Sequence, residues 1–312
     1  MQLKQILTAS LAIGAATAQA QGYPTKTVRI VVPFVAGGNT DFTGRTISAK
    51  LTEALGQQFI VDNRPGGYTN IGADMVVRSA PDGYTLLLAS AASAINVAVV
   101  AKMPFDLQRD LAPVVLCVKG ANVLVVHPSL PAKTLKELIA LAKSKPGQLN
   151  YGTSGVASSN HMAGELLNHM AGIKLNHVPY KGNAPAITDL IGGHLEMSIS
   201  GVPILVPHIK SQRLRAIGIG SLKRFPAIPD VPTFDESGLK GYEASTWFGL
   251  LAPAATPAAV LAKLQQESAR VIALPDIRQR IIDNGGEIVG ITAAEFAAQI
   301  KTEIAEIGRA HV

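Results

Sequence analysis

Short apolar runs alternate with segments of helical spacing along this 312-residue chain, and the alternation stops and then starts again. Residues 28–34, 59–62 and 85–90 read as strands, and 41–55 reads as a helix between the first two, closed by Gly56. The triplet Pro81-Asp82-Gly83 is a turn signal ahead of the third strand. Strand–helix–strand order with unbroken apolar strands points to a mostly parallel sheet covered on both faces. The second round has strands at 123–126, 149–152, 175–179, 196–200 and 214–219, with helical segments at 135–144, 159–170 and 184–191 between them. An apolar strand at 248–252 follows, then helices at 257–273 and 293–309. The simplest architecture is an α/β protein of two five-stranded lobes flanked by helices. The chain enters the second lobe near Gly120-Ala121 and returns near Thr246-Trp247. That makes residues 21–120 and 247–312 one lobe and 121–246 the other. Two crossovers form a hinge, and a hinge over a cleft is how clamshell binding proteins are built.

Each round carries the same kind of turn. Asn150-Tyr151-Gly152-Thr153-Ser154-Gly155-Val156-Ala157-Ser158-Ser159-Asn160-His161 reads as a short strand, a glycine- and hydroxyl-rich turn, and a helix opening near Ser158. Val32-Pro33-Phe34-Val35-Ala36-Gly37-Gly38-Asn39-Thr40-Asp41 is its counterpart. Such a turn presents backbone N–H groups and hydroxyls at a helix N-terminus, where the dipole favours an anion. Two of them imply two lobes facing one small acidic ligand. Gly37 and Gly38 have a plain reading as a tight strand-to-helix corner. They also have a functional one, since a carboxylate or a bridging water reaches the N–H groups where no side chain stands. Asp41 would repel an anion, so it is read as a cap or a brace for the loop. Thr153, Ser154 and Ser158 are ordinary turn and cap residue types, but their concentration around two glycines favours contact by at least one hydroxyl. Arg64 and Lys181 serve either as solvated surface charges or as counter-charges in the cleft.

His161, Glu165 and His169 fall at i, i+4 and i+8 on one helix face. Zinc needs a further ligand of defined geometry, and no second paired motif supplies it, so a ligand donor or a brace for the Ser158 turn is the better reading. No metal or cofactor is called for. The chain has no G-x-S-x-G elbow, H-E-x-x-H, Walker A loop or complete G-x-G-x-x-G. Ser154 or Ser158 with His161 would imitate a nucleophile and base, but neighbours on one helical turn rarely point at each other, and no orienting carboxylate is evident. Trp247, beside the return crossover, is read as hinge packing rather than as a ligand wall. Cys117, the one cysteine, lies in an apolar strand-like run and reads as a small core residue.

The first twenty residues read as an export leader: Lys4 gives a positive start, 6–18 is apolar and small, and Ala18-Gln19-Ala20 is a cleavage site. The mature chain is therefore expected outside the cytoplasm, in the periplasm. The net charge of +6 is spread along the chain and aromatic residues make up 5%. That excludes the basic stripe with stacking platforms that nucleic-acid binding requires.

The turn sequences also stand in a characteristic order. Val32-Pro33-Phe34 with Gly37-Gly38 is followed by Asp62-Asn63-Arg64-Pro65-Gly66 and Pro81-Asp82-Gly83-Tyr84-Thr85. Tyr151-Gly152 to His161, His177-Val178-Pro179-Tyr180-Lys181-Gly182 and Pro229-Asp230-Val231-Pro232-Thr233 come next. Together these blocks resemble the periplasmic solute-binding receptors of tripartite tricarboxylate transporters, also called the Bug family. The resemblance implies a type II periplasmic-binding-protein fold. It also implies a monomeric receptor that takes a small organic carboxylate into its cleft, delivers it to membrane permease subunits and does no chemistry. Carried over block by block, it assigns ligand contacts to Phe34, Gly37, Gly38, Arg64, Gly66, Ser90 and Ala91 in the first lobe. In the second it assigns them to Thr153, Ser154, Gly155, Ser158, His161, Tyr180, Lys181 and Gly182. The chain departs from the family pattern at Gly44, at Gly67-Tyr68-Thr69, which brings a tyrosine to the cleft mouth, and at Ser198-Ile199-Ser200-Gly201, which lacks a carboxylate for a ligand ammonium group. A secreted hydrolase or isomerase acting on a small carboxylate, and a ligand-loaded signalling receptor, are the rival function classes.

Overall fold

A computed structural model describes residues 22–310, so the leader and its cleavage site lie outside the described residues. The first strand, β1 (Val28–Val32), lies between two parallel neighbours. After it come α1 (Asn39–Leu55), β2 (Phe59–Asn63), α2 (Asn70–Val77), β3 (Thr85–Ser90) and α3 (Ala91–Val99). A four-residue helical turn, α4 (Leu107–Asp110), leads into β4 (Leu111–Val126), whose 16 residues make it by far the longest strand. Next are α5 (Leu135–Ser144), β5 (Asn150–Thr153), α6 (Ser159–Ala171), β6 (Asn176–Pro179) and α7 (Asn183–Ile191). Then follow β7 (Met197–Gly201), α8 (Val202–Lys210), β8 (Arg215–Ile219) and β9 (Ser245–Pro253). The chain closes with α9 (Ala258–Ile272), α10 (Pro275–Asp283), β10 (Gly286–Ile291) and α11 (Ala293–Ala310).

Two sheets share β4. One has the order β2-β1-β3-β9-β4 with β10 on the far edge of β4, and the other has β6-β5-β7-β4 with β8 on its far edge. From Leu111 to Ala121, β4 pairs with β9; from Asn122 to Val126 it pairs with β7 and β8. The sheets are therefore mixed rather than mostly parallel. β1, β2 and β3 run parallel, as do β5, β6 and β7, while β4 and β9 run antiparallel to their neighbours. A strand covered on both faces is apolar throughout whichever way its neighbours run, so composition does not report direction. The first sheet also holds one strand more than the sequence reading counted. β10 has a half-exposed, glycine-flanked sequence that gives little strand signal.

Helices cover both faces of each sheet. Ile47 and Leu51 of α1 and Leu264 of α9 pack on Val28, Ile30 and Leu250, all fully buried. In the second half, Leu138 of α5 and Leu167 of α6 close over Leu124, Val126 and Tyr151. Each such side chain contributes roughly 1.5–3 kcal/mol by leaving water. Gly44 allows α1 to sit close: a Cβ there would stand 3.2 Å from both Val32 and Leu88. Cys117 is fully buried in this core, where burial pushes its thiol up to about 12. Among the described residues no helix is long and apolar enough to cross a membrane.

Candidate functional site

The alternation of strand and helix has a geometric consequence. In each sheet the turns that leave the carboxyl ends of the parallel strands begin helices, so helix N-termini collect on one side. The start of α1 follows Gly38, that of α2 follows Thr69 and that of α3 follows Ser90. Opposite them, α6 begins after Ser158 and α7 after Gly182. Residues from all five starts line one cleft between the two sheets.

The cleft has two chambers that share Phe34, Ala92, Ser154 and Ser158 as wall. The outer one, about 260 Å³, is bounded by Phe34, Tyr68, Gly155, Val156, Tyr180 and Lys181 among others. The inner one, about 20 Å³, is lined by Asn39, Thr40, Ser90, Asn160, Asn183 and Thr246 together with the ring of Phe248. Among the described residues no aspartate or glutamate lines either chamber, and Lys181 supplies the one charged side chain in the wall.

An amide chain fixes the inner chamber. The Ser154 hydroxyl donates to Asn160 Oδ1 (2.7 Å), and Asn160 Nδ2 donates to Asn122 Oδ1 (2.6 Å). Asn183 Nδ2 also reaches Asn160 Oδ1 (3.2 Å). From the other side, Asn39 Nδ2 donates to Ser200 Oγ (3.3 Å) and reaches Asn183 Oδ1 (3.5 Å), which ties the start of α1 to the second sheet. The buried Asn39 Oδ1 has no donor among the described residues. The halves also touch where Val35 N–H donates to the Lys181 carbonyl (3.3 Å). A Cβ on Gly182 would stand 2.7 Å from Val35 Cγ2, so this glycine is required by the close approach.

The expected residues divide accordingly. Phe34, Gly66, Ser154, Gly155, Ser158, Tyr180 and Lys181 line the outer chamber, and Ser90 lines the inner one. Ser158 is also the N-cap of α6: its hydroxyl accepts from His161 N–H (3.2 Å) and donates to the Gly155 carbonyl (2.7 Å). Ala91 is buried behind Ser90, with Ala92 taking the wall position. Gly37 and Gly38 line neither chamber. The Gly37 N–H donates to Asp41 Oδ2 (3.0 Å), and Gly38 faces the backbone of Asn183. Gly182 packs on Val35, and Arg64 turns outward to Asp62 (2.9 Å).

Asp41 acts as the brace its sequence position implied. It also accepts from Arg45 Nε (2.9 Å) and Asn63 Nδ2 (3.0 Å). Burial opposes its ionisation, but the hydrogen bonds from Arg45, Gly37 and Asn63 outweigh that and hold the carboxyl below its ordinary value.

Thr153 and His161 stand behind the second turn rather than in the wall. Thr153 Oγ1 accepts from Gly155 N–H (3.2 Å) and lies 2.6 Å from His177 Nε2. His161 Nδ1 accepts the Ala157 N–H (3.2 Å), and its ring stacks on His177 with centroids 4.0 Å apart. Burial, then the neighbouring His161, push His177 down to about 4; burial likewise lowers His161, against the pull of Glu165. Both rings are thus held neutral at pH 7, as acceptors and packing surfaces. Among the described residues no group of histidine, cysteine, aspartate and glutamate could hold a metal ion.

Asn39, Asn160 and Asn183 went unassigned in the sequence reading, although each opens a helix directly behind a glycine- or serine-bearing turn. That repeated Gly-Asn or Ser-Asn step is the signal that marks them. Thr246 and Phe248 carry no such signal, since β9 enters the chamber only through its place in the sheet. Trp247 between them faces away, 3% exposed, with its indole N–H on Glu303 Oε2 (2.7 Å) and its ring edge-on to Phe296.

Two α/β lobes wound around shared strands, with a polar cleft at their helix N-termini, define a type II periplasmic binding protein. Residues 43–310 match the model of the tripartite tricarboxylate transporter family receptors, TctC, and the chain belongs to that family. It is similar to BugT of Bordetella pertussis, 36% identical over 254 residues that cover 81% of this chain and 78% of BugT. Among solved structures it resembles an R. palustris protein with adipate (34% identical, TM-score 0.88, 91% of this chain and 95% of that one). It also resembles MatC from Rhodopseudomonas palustris with bound malate (30% identical, TM-score 0.87, 92% and 99%).

Proposed function

We propose that this chain is an extracytoplasmic receptor that closes around a small organic carboxylate and passes it to the permease subunits of a tripartite transporter. The observation that carries this reading is the convergence of five helix N-termini on a wall without carboxylates. Each N-terminus within reach of an anion is worth about 0.3–1 kcal/mol, more where water is partly excluded. A carboxylate at the junction of the chambers meets Ser154, Ser158 and the first N–H groups of α3 and α6. Lys181 at the outer end compensates a second negative group. The adipate and malate held by two similar structures are of this chemical class.

The moving units are residues 21–120 with 247–312, and residues 121–246. This division is supported by the change of partner along β4 between Ala121 and Asn122. Turnover is not part of the reading. The Ser158 hydroxyl is spent on the Gly155 carbonyl, and His161 Nδ1 is spent on the Ala157 N–H, so neither forms a nucleophile–base pair with the other.

A thermal-shift screen of residues 21–312 against small carboxylates, with their amides as controls, tests the proposal. A rise in melting temperature with an acid and none with its amide, with the acid recovered unchanged, is the expected result. Equal shifts with acid and amide, or conversion of the acid, would overturn it.

A further inference from the structure

The rim of the outer chamber has the least ordinary backbone in the molecule. Gly66, Gly67, Tyr68 and Thr69 follow one another with φ of 119°, 56°, 55° and 75°. Two of these are non-glycine residues in the left-handed region, and Thr69 is β-branched. Such conformations persist only where the surroundings over-determine them, and they gather at functional sites. Here the surroundings do so. Asn96, with no exposed surface, donates to the Tyr68 carbonyl and to Thr69 Oγ1, and Asn70 N–H closes back on the Gly67 carbonyl (2.9 Å). Ile71 covers the two glycines; a Cβ on Gly66 would stand 2.8 Å from its Cδ1.

What this rigid loop presents is a tyrosine that lines the chamber while 51% exposed. Across the mouth stands Val156, 40% exposed, followed by Ala157 with a φ of 57°. Two constrained turns, one from each side, therefore hold apolar groups over the same opening. With Phe34 and Tyr180 also in the wall, the outer chamber has three aromatic rings and no amide side chain, while the inner one sets Phe34 and Phe248 beside Asn39, Asn160 and Asn183. A tyrosine exposed to this degree gains from a flat apolar surface laid against it, and aromatic pairing adds to what buried area alone provides.

We infer that Tyr68 is a specificity-determining residue of this cleft, selecting carboxylates with a flat, aromatic body over aliphatic ones of equal charge. The inference rests on the receptor reading above. A carboxylate anchored at the helix N-termini places its attached ring in the outer chamber between Tyr68 and the second lobe's rim.

Titration calorimetry with benzoate, hexanoate and benzamide on the wild-type protein and on Tyr68→Ala and Tyr68→Phe tests it. Wild type is expected to bind benzoate more tightly than hexanoate, and benzamide not at all. Tyr68→Ala should weaken benzoate about five- to tenfold and hexanoate less than twofold, while Tyr68→Phe keeps the preference because the ring face is what acts. Alanine is no more strained than tyrosine at this φ, so the fold is expected to hold, with melting temperature as the check. If carboxylates bind but Tyr68→Ala changes both acids alike, or neither, the assignment of Tyr68 is wrong and the receptor reading stands. If benzoate and hexanoate bind no better than benzamide, both fail together.

Discussion

The turns after β1 and β5 look alike in sequence and do opposite work in space. The first spends its Gly37 N–H on Asp41, four residues ahead, and lays Gly38 against the opposite half. The second keeps its glycine and serine in the chamber wall and is propped from behind by Thr153, His161 and His177. The glycines of the first turn pack within the molecule, while its Phe34, Asn39 and Thr40 share the chamber walls with the second turn. In both turns groups of the chain itself take donors of the helix start: a carboxylate one turn downstream in the first, and Thr153 and His161 from behind in the second.

The largest separation between the two turns should come from Asp41→Ala. It frees the Gly37 N–H and strips Arg45 and Asn63 of a partly buried partner, at a cost of about 3 kcal/mol in unfolding free energy. Carboxylate affinity should change less than threefold. Urea denaturation and titration calorimetry on one variant read both quantities, and lost binding with unchanged stability would reverse the roles given to the turns.

Acid should also act on the turns in different windows. The folded value of His177, about 4, lies below its ordinary 6.5, so the unfolded chain takes the proton more readily. The stability this contributes is full above pH 6.5 and drains away as pH falls through about 4. Asp41 is likewise depressed, and its contribution is lost only at lower pH, below the ordinary carboxylate value. Stability of wild type and His177→Gln measured from pH 7.5 to 4 separates the two. The variant should lose the His177 share of the slope above pH 4.5 while His161 keeps its own, and an unchanged slope would break the comparison.

Ser158→Ala is the smallest change. It removes the α6 cap at a cost of about 1 kcal/mol and should weaken a carboxylate about threefold, because the turn it holds is part of the wall. An affinity equal to wild type would show that the turn keeps its shape without the hydroxyl.

The strand–helix order and the second turn were legible in the sequence because they rest on local periodicity and turn chemistry. What escaped was set by distance along the chain. The sequence shows Gly37 and Gly38 as donors but not that Asp41 takes the Gly37 N–H, or that Gly38 packs against the backbone of Asn183. Arg64 stands in a motif block beside the cleft, yet Asp62, two residues back, turns it outward. The inner chamber draws Asn39, Asn160, Asn183 and Thr246 from four separate elements, and no window of sequence holds more than one of them. β10 lacked a clear strand signal because it is half exposed, and the run around Cys117 read as strand-like without the full length of β4, which opens on Leu111-Ala112-Pro113.

β4 sets the mechanics of the molecule. One uninterrupted strand of 16 residues is stitched into both sheets, so opening of the cleft flexes a leaf spring rather than turning a door on a loose pin. Its ladder with β9 runs from Leu111 to Ala121 and its ladders with β7 and β8 lie between Asn122 and Val126, so its partners change at the single step between them. On the division into moving units proposed above, a strand shared in this way limits travel and keeps the halves in one register.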